Sequence, residues 1–241
     1  MKWTFGIIFS STTHLNDIIR SIVNQNGMAK EDYEIIFVGP NTAEAVGIFS
    51  QWISTGVDIQ FLVFDENHRK GWITKKKNSI TQYAKYPNVC YMHDYVGLCV
   101  DWYKKFCEFG EDWDVCMTCV RRIDGTRFRD WIFPKKSWGF PIFLPYSETG
   151  KTHEMYVNGT YWCAKKQYMT ANPLDERRCW GQGEDLEWSY RCRPQWNYKM
   201  NSESAVRLLR EKTFNGQIDY SPHPDSDPDA TSDLSKFELQ T

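Results

Sequence analysis

Residues 3–23 read WTFGIIFSSTTHLNDIIRSIV, and the pattern inside them decides the fold class. Trp3 to Phe9 is compact and largely apolar, which is how a strand covered on both faces reads. Ser10-Ser11-Thr12-Thr13 interrupts it with a polar turn, and Leu15, Ile18, Ile19, Ile22 and Val23 then recur at helical spacing. Asn26-Gly27 ends that helix. The same succession repeats downstream. Tyr33 to Val38 stops at Gly39-Pro40-Asn41 and leads into a helix over Thr42 to Ile53. Ile59 to Phe64 stops at Asp65-Glu66, and a helical segment from Thr74 to Lys85 precedes a fourth strand, Asn88 to Met92, which meets His93-Asp94. Strands separated by helices predict an α/β three-layer sandwich of Rossmann-like type, its central sheet mostly parallel and its helices on both faces.

Sheets of this kind bind ligands at the carboxyl ends of their strands. Each strand exit here is polar: Ser10 to Thr12, Gly39 to Asn41, Asp65-Glu66 and His93-Asp94. Loops are polar in any soluble protein, so this coincidence gains weight only beside the motifs below. The 241 residues, 41% hydrophobic and 25% charged, suffice for one sizeable core. No stretch approaches the roughly 18 apolar residues of a membrane helix, and Phe5 to Phe9 is too short for a signal sequence, so a cytoplasmic chain without a transmembrane segment is expected. The net charge of −2 divides unevenly: from Gln217 onward six acidic residues face the single Lys236, which leaves the body at +3. That falls short of the basic stripe of a nucleic-acid binder, and no nucleic-acid partner is expected. The expected organisation is one domain over 1–216, with a nucleotide-binding half to about residue 98 and an acceptor and catalytic half after it, followed by a flexible acidic tail over 217–241. Of the eight cysteines, most lie in apolar segments and read as small hydrophobes; Cys116-Met117-Thr118-Cys119 is a lone CxxC without the second pair a zinc site needs.

The second half changes character. Trp131, Phe133, Trp138, Phe140, Phe143 and Tyr146 crowd into one segment, either a satellite core under a long loop or a wall on which an acceptor sugar stacks. Trp180-Gly181-Gln182-Gly183-Glu184-Asp185 is the strongest local signal. Glycines allow a tight turn and close approach to a ligand, and adjacent carboxylates suit the positive end of a helix. A structural cap explains the carboxylates equally, but it needs neither the tryptophan nor the two glycines. His93-Asp94 at a strand end suits a divalent ion that also binds diphosphate oxygens, and equally a surface pair. Lys75-Lys76-Lys77-Asn78 reads as a solvated helix face or as a source of phosphate contacts.

Taken in order, FGIIFSSTTHLNDIIRSIVNQ, YEIIFVGPN, GWITKKKNSITQYA, VCYMHDYVGL, MYVNGTYWCAKKQYM and WGQGEDLEWSYR resemble glycosyltransferases of the GT-A fold, nearest family 2, over about Trp3 to Phe214. Trp180 to Asp185 is also similar to the WGxGxED segment of galactosyltransferase-like enzymes. The resemblance implies a nucleotide-diphosphate sugar as donor, a manganese or magnesium ion as cofactor, and a glycan or saccharide acceptor. It implies that Ser10, Ser11 and Thr12 line a base and ribose pocket completed by Gly39 to Asn41 and by Asp65 or Glu66. Lys77 and Asn78 match a segment that touches donor phosphate or ribose; Asn158, Gly159 and Trp162 match one that shapes the sugar and acceptor pocket, with Trp180 and Gly183. Asp185 takes the place of the catalytic base, Glu184 that of a hydroxyl contact, and Asp94 that of the metal-binding aspartate of the DxD motif. Met92-His93-Asp94-Tyr95 departs from that motif: Met92 or His93 holds the first acidic place, and His93 is then a second metal ligand or a ribose contact. Only His153 and His223 remain downstream to complete the ion's shell.

The expected reaction is inverting transfer, with Asp185 removing a proton from the acceptor hydroxyl. Two other readings use the same residues. A nucleotidyltransferase acting on a sugar phosphate shares the nucleotide half but has no role for WGQGED, and the first strand is not followed by a glycine-rich phosphate loop. A catalytically degenerate carbohydrate-binding scaffold is compatible with the altered metal motif.

Overall fold

The computed structural model describes residues 1–65, 67–134 and 141–211. Its centre is β1 (Trp3–Ile8), all six residues of which are buried. The chain then forms α1 (Leu15–Val23), β2 (Tyr33–Gly39), α2 (Ala43–Ser54), β3 (Ile59–Val63), α3 (Ile73–Tyr83) and β4 (Asn88–His93). There follow β5 (Val96–Leu98), α4 (Trp102–Phe109), β6 (Val115–Arg121), the short pair β7 (Ile132–Phe133) and β8 (Ile142–Phe143), β9 (Tyr161–Lys165), α5 (Lys166–Ala171), α6 (Glu184–Cys192) and β10 (Tyr198–Leu208). Each helix and strand read in the first half is present, with ends shifted by one or two residues. Thr42, expected inside its helix, instead caps α2: its hydroxyl oxygen accepts the Ala45 N–H at 3.2 Å.

Among the described residues, eight strands form one sheet in the order β3-β2-β1-β4-β9-β6-β10-β5, and β7 and β8 form a separate hairpin-like pair. The four strands of the first half pair in parallel, as expected. The second half makes the sheet mixed: β9 runs antiparallel to both β4 and β6, and β5 antiparallel to β10. An antiparallel neighbour needs no helical crossover, which is why strand–helix alternation in the sequence does not announce it.

The predicted apolar face of α1 is buried through Leu15, Ile18, Ile19 and Ile22. At the foot of β1, Trp3 meets the rings of Trp102 and Phe106 at 4.7 and 4.8 Å between centroids, so the aromatic core ties α4 to the sheet. In the aromatic segment, Trp131 is core: fully buried, it donates its ring N–H to the Glu148 carbonyl at 2.7 Å. Phe143 is exposed, whereas Trp138 and Phe140, like the tail over 217–241, lie outside the described residues. All eight cysteines are unpaired; burial pushes the Cys116 thiol well above its ordinary pKa and raises that of Cys119, so the CxxC holds no ready thiolate. Among the described residues no helix is long and apolar enough to cross a membrane.

α3 lies against β1 because residue 6 has no side chain. A Cβ at Gly6 would stand 2.2 Å from Cγ2 of Ile80. This close approach fixes the height of α3, and with it Lys77 and Asn78, relative to the strand exits. Gly6→Ala is therefore expected to cost about 1–3 kcal/mol, seen as a lower urea midpoint at unchanged slope; an unchanged midpoint would show that α3 is not seated this closely.

Candidate active site

β1 and β4 are parallel neighbours with Ile8 opposite His93, so the residues that leave the two strands meet. Asp94, 7% exposed, turns one carboxylate oxygen to the β1 exit. Its Oδ2 accepts the N–H groups of Ser10 and Ser11 at 2.8 and 2.9 Å and the Ser10 hydroxyl at 3.3 Å. Charge-assisted bonds to otherwise orphaned amides set the shape of this loop. Thr12 is half-buried and donates its hydroxyl to Glu44 at 2.5 Å. One strand further out, Gly39 is buried under Phe9, and a Cβ there would lie 2.6 Å from the Phe9 ring. The Gly39 carbonyl accepts the Phe64 N–H at 2.8 Å, which brings the Asp65 exit alongside. Asn41 and Asp65 are exposed, and Glu66 lies outside the described residues. Ser10 to Thr12, Gly39, Asn41, Asp65 and Asp94 thus share one rim of the sheet.

The other half of the site reaches that rim through β9. Met92 pairs with Tyr161 in antiparallel register, so the residues before β9 stand beside those that end β4. The His93 N–H donates to the Thr160 carbonyl at 3.2 Å. Asn158 closes the turn: its side-chain oxygen accepts the Thr160 N–H at 3.1 Å and its amide donates to the Arg129 carbonyl at 2.8 Å. Gly159 then donates its N–H to Oδ2 of Asp185 at 2.7 Å. Asp94, His93, Thr160, Gly159 and Asp185 form a contiguous line along the rim.

Asp185 comes from the start of α6, and the glycines of the motif explain how it gets there. Gly181 and Gly183 have φ of +82° and +63°, left-handed values that favour glycine. They turn the chain so that Glu184 and Asp185 form the first helical turn, at the positive end of the dipole. Asp185 is half-buried, and its Oδ1 accepts the Leu186 N–H at 2.8 Å. Two of its roughly four lone-pair sites are therefore used inside the protein. Glu184, 7% exposed, crowds the same point: a Cβ at Gly159 would lie 2.9 Å from Glu184 Oε1 and 3.1 Å from Asp185 Oδ2. Trp180 is 68% exposed beside these carboxylates in sequence, and its backbone N–H is fixed to the Gly71 carbonyl at 2.8 Å.

Lys77 and Asn78 face inward. Lys77 is fully buried; its ammonium donates to the Gly159 carbonyl at 2.7 Å and lies 4.3 Å over the Trp162 ring. Trp162 is itself buried, between Tyr91 and Trp188 at 4.9 and 6.1 Å, and supports the site from beneath. Asn78 holds the loop ahead of the WGQG turn by accepting the Leu174 N–H at 3.0 Å and donating to the Leu174 carbonyl at 2.9 Å and to Glu176 at 3.0 Å. Arg178, which the motif reading passes over, is fully buried and donates to the Gln182 carbonyl at 3.0 Å, bracing the glycine turn from inside. In sequence it stands in an Arg177-Arg178 pair that reads as solvated charge, so composition offers no signal for its burial.

The residues fit a divalent ion of one type only. Among the described residues Oδ1 of Asp94 accepts no hydrogen bond, which leaves it open to a cation, and His93 is its chain neighbour. Among the same residues no three His, Cys, Asp or Glu side chains converge to hold an ion. His153 is 66% exposed and 3.3 Å from Glu154, and His223 lies outside the described residues. This suits an ion that draws most of its ligands from a bound diphosphate and water, not one caged by protein.

No protein-family model matches the chain, and no curated protein sequence matches it. Solved structures do. Residues 1–349 of S. aureus TarS share 13% identity over 86% of this chain and 60% of that one, with a TM-score of 0.65. The same fragment with UDP-GlcNAc gives 12%, 89%, 60% and 0.64. GalNAc-T7, solved with UDP, GalNAc and Mn2+, gives 13%, 93%, 46% and 0.68. The chain thus spans less than two thirds of these structures. At such identity the likeness speaks for architecture, and the architecture is plain: this chain carries the GT-A fold.

Proposed function

We propose that the chain transfers a hexose from a nucleotide-diphosphate sugar to a hydroxyl of a glycan or other saccharide, with inversion, and that residues 1–216 carry out the reaction as one domain. The observation that carries this reading is the line along the rim, in which a carboxylate open to a cation (Asp94) and a half-buried carboxylate oriented by a backbone N–H (Asp185) are joined through His93, Thr160 and Gly159. A nucleotidyltransferase has no use for the second carboxylate on its glycine turn.

The exposed Ser10 and Ser11 and the half-buried Thr12, with Gly39, Asn41 and Asp65, receive the base and ribose. When bound, a manganese or magnesium ion at Asp94, with His93 beside it, supplies positive charge to the diphosphate oxygens. Asp185 takes the proton of the acceptor hydroxyl as that oxygen bonds to the anomeric carbon. The bond from that carbon to the diphosphate breaks, and its electron pair leaves with the nucleotide. Glu184 contacts a sugar hydroxyl, and the exposed Trp180 offers a ring face on which a pyranose packs. Because UDP accompanies both TarS and GalNAc-T7 in solved structures, UDP-sugars are the first donors to test.

Two outcomes check the proposal. At saturating donor, one UDP-sugar is expected to raise the melting temperature by roughly 5–10 °C, and to do so only with manganese present; a panel of UDP-, GDP-, CMP- and dTDP-sugars without any shift would count against a donor site. Asp185→Asn is expected to lower kcat by about 100-fold or more while the donor KM stays within about threefold. A variant with normal kcat would remove Asp185 from the mechanism.

A further inference from the structure

A lysine with no exposed surface has nothing to offer a ligand directly, yet Lys77 sits one residue from the base. Its ammonium holds the Gly159 carbonyl at 2.7 Å, while the N–H of the same glycine holds Asp185 Oδ2 at 2.7 Å. One residue is gripped from α3 on one side and from α6 on the other. The side of Gly159 that faces α6 has no room for a side chain, since an added Cβ would lie 2.9 Å from Glu184 Oε1 and 3.1 Å from Asp185 Oδ2. The indole of Trp162, 4.3 Å from the ammonium, closes the space beneath. Among the described residues, the backbone N–H that ties the turn before β9 to the Asp185 side chain thus belongs to a residue whose carbonyl is held by Lys77.

We propose that Lys77 is a positioning residue: through Gly159 it fixes the direction in which the Asp185 carboxylate points, and it does not contact donor phosphate. This rests on the reading of Asp185 as base. A shift of the carboxylate by about an ångström costs up to about 100-fold in rate without altering how the donor is held. A phosphate ligand would behave in the opposite way, losing donor affinity first.

The test compares Lys77→Met, Gly159→Ala, Asp185→Asn and the Lys77→Met/Asp185→Asn double variant in the full chain. Each is checked for a cooperative melt, for the calorimetric affinity of UDP with manganese, and for UDP release from the UDP-sugar that stabilises the fold. Lys77→Met is expected to lose about 10- to 100-fold in kcat with UDP affinity within about threefold of wild type, and the double variant to be no slower than Asp185→Asn alone. Gly159→Ala, which presses on both carboxylates, is expected to give the same split, and it decides the matter if Lys77→Met does not fold. UDP affinity weakened by about tenfold or more in Lys77→Met, a double variant slower than Asp185→Asn, or unchanged kcat in both single variants would overturn the proposal. If Asp185→Asn itself keeps its rate, the base assignment fails first, and the failure is recognisable as that one.

Discussion

Everything at the rim depends on β9 entering the sheet beside β4 in the opposite direction. Its pairing places the turn before β9, residues 158–160, against the end of β4, where Asp94 leaves the sheet. With a parallel strand in that position, the start of the strand would lie at the far edge and Gly159 would never meet the carboxylates of α6. One strand direction thus converts two separate sequence motifs, some ninety residues apart, into neighbours.

The site is also a place where charge is taken out of water. Lys77, Arg178, Glu184 and Asp94 are all nearly or wholly buried. Bringing such groups inside costs several kcal/mol each unless bonds in the interior replace the water they lose. Lys77 regains such a bond from the Gly159 carbonyl and Asp94 from the Ser10 and Ser11 amides, whereas Arg178 bonds the Gln182 carbonyl through one nitrogen while its Nε, 3.7 Å from Asp175, and its Nη2 make no hydrogen bond among the described residues. Because each of these bonds ends on the backbone of a loop, the same groups that are costly to bury also hold the loops rigid. Of these groups Lys77 holds the glycine whose N–H bonds Asp185, a contact that an apolar filling of equal volume would not make.

The first half of the fold was legible from residues 3–23 onward because buried parallel strands and amphipathic helices have different periods. The polar strand exits, a tight turn at Gly181 and Gly183, and the placing of Glu184 and Asp185 at a helix start were legible too, since each follows from local chemistry. The antiparallel entry of β9 was not, because direction is set by partners distant in sequence. Nor was the burial of Lys77: in Lys75-Lys76-Lys77 three identical side chains stand in a row, and only the packing of α3 decides that Lys76 and Lys77 are buried while Lys75 is half-exposed. The burial of Arg178 escaped for the same reason. Trp131 reads as part of a stacking wall and Trp162 as a residue shaping the sugar pocket, yet tertiary packing takes both into the core, whereas Trp180 is exposed.

Whether Asp185 activates the incoming hydroxyl on the face opposite the departing diphosphate is read from the stereochemistry of the product. With water as acceptor, the anomer first released from an α-linked UDP-sugar can be read by proton NMR before mutarotation equilibrates it. Inversion gives the β anomer as the initial product. Initial release of the α anomer would contradict it, because retention requires attack by a different route in which Asp185, held as it is on Gly159, has no part as the base.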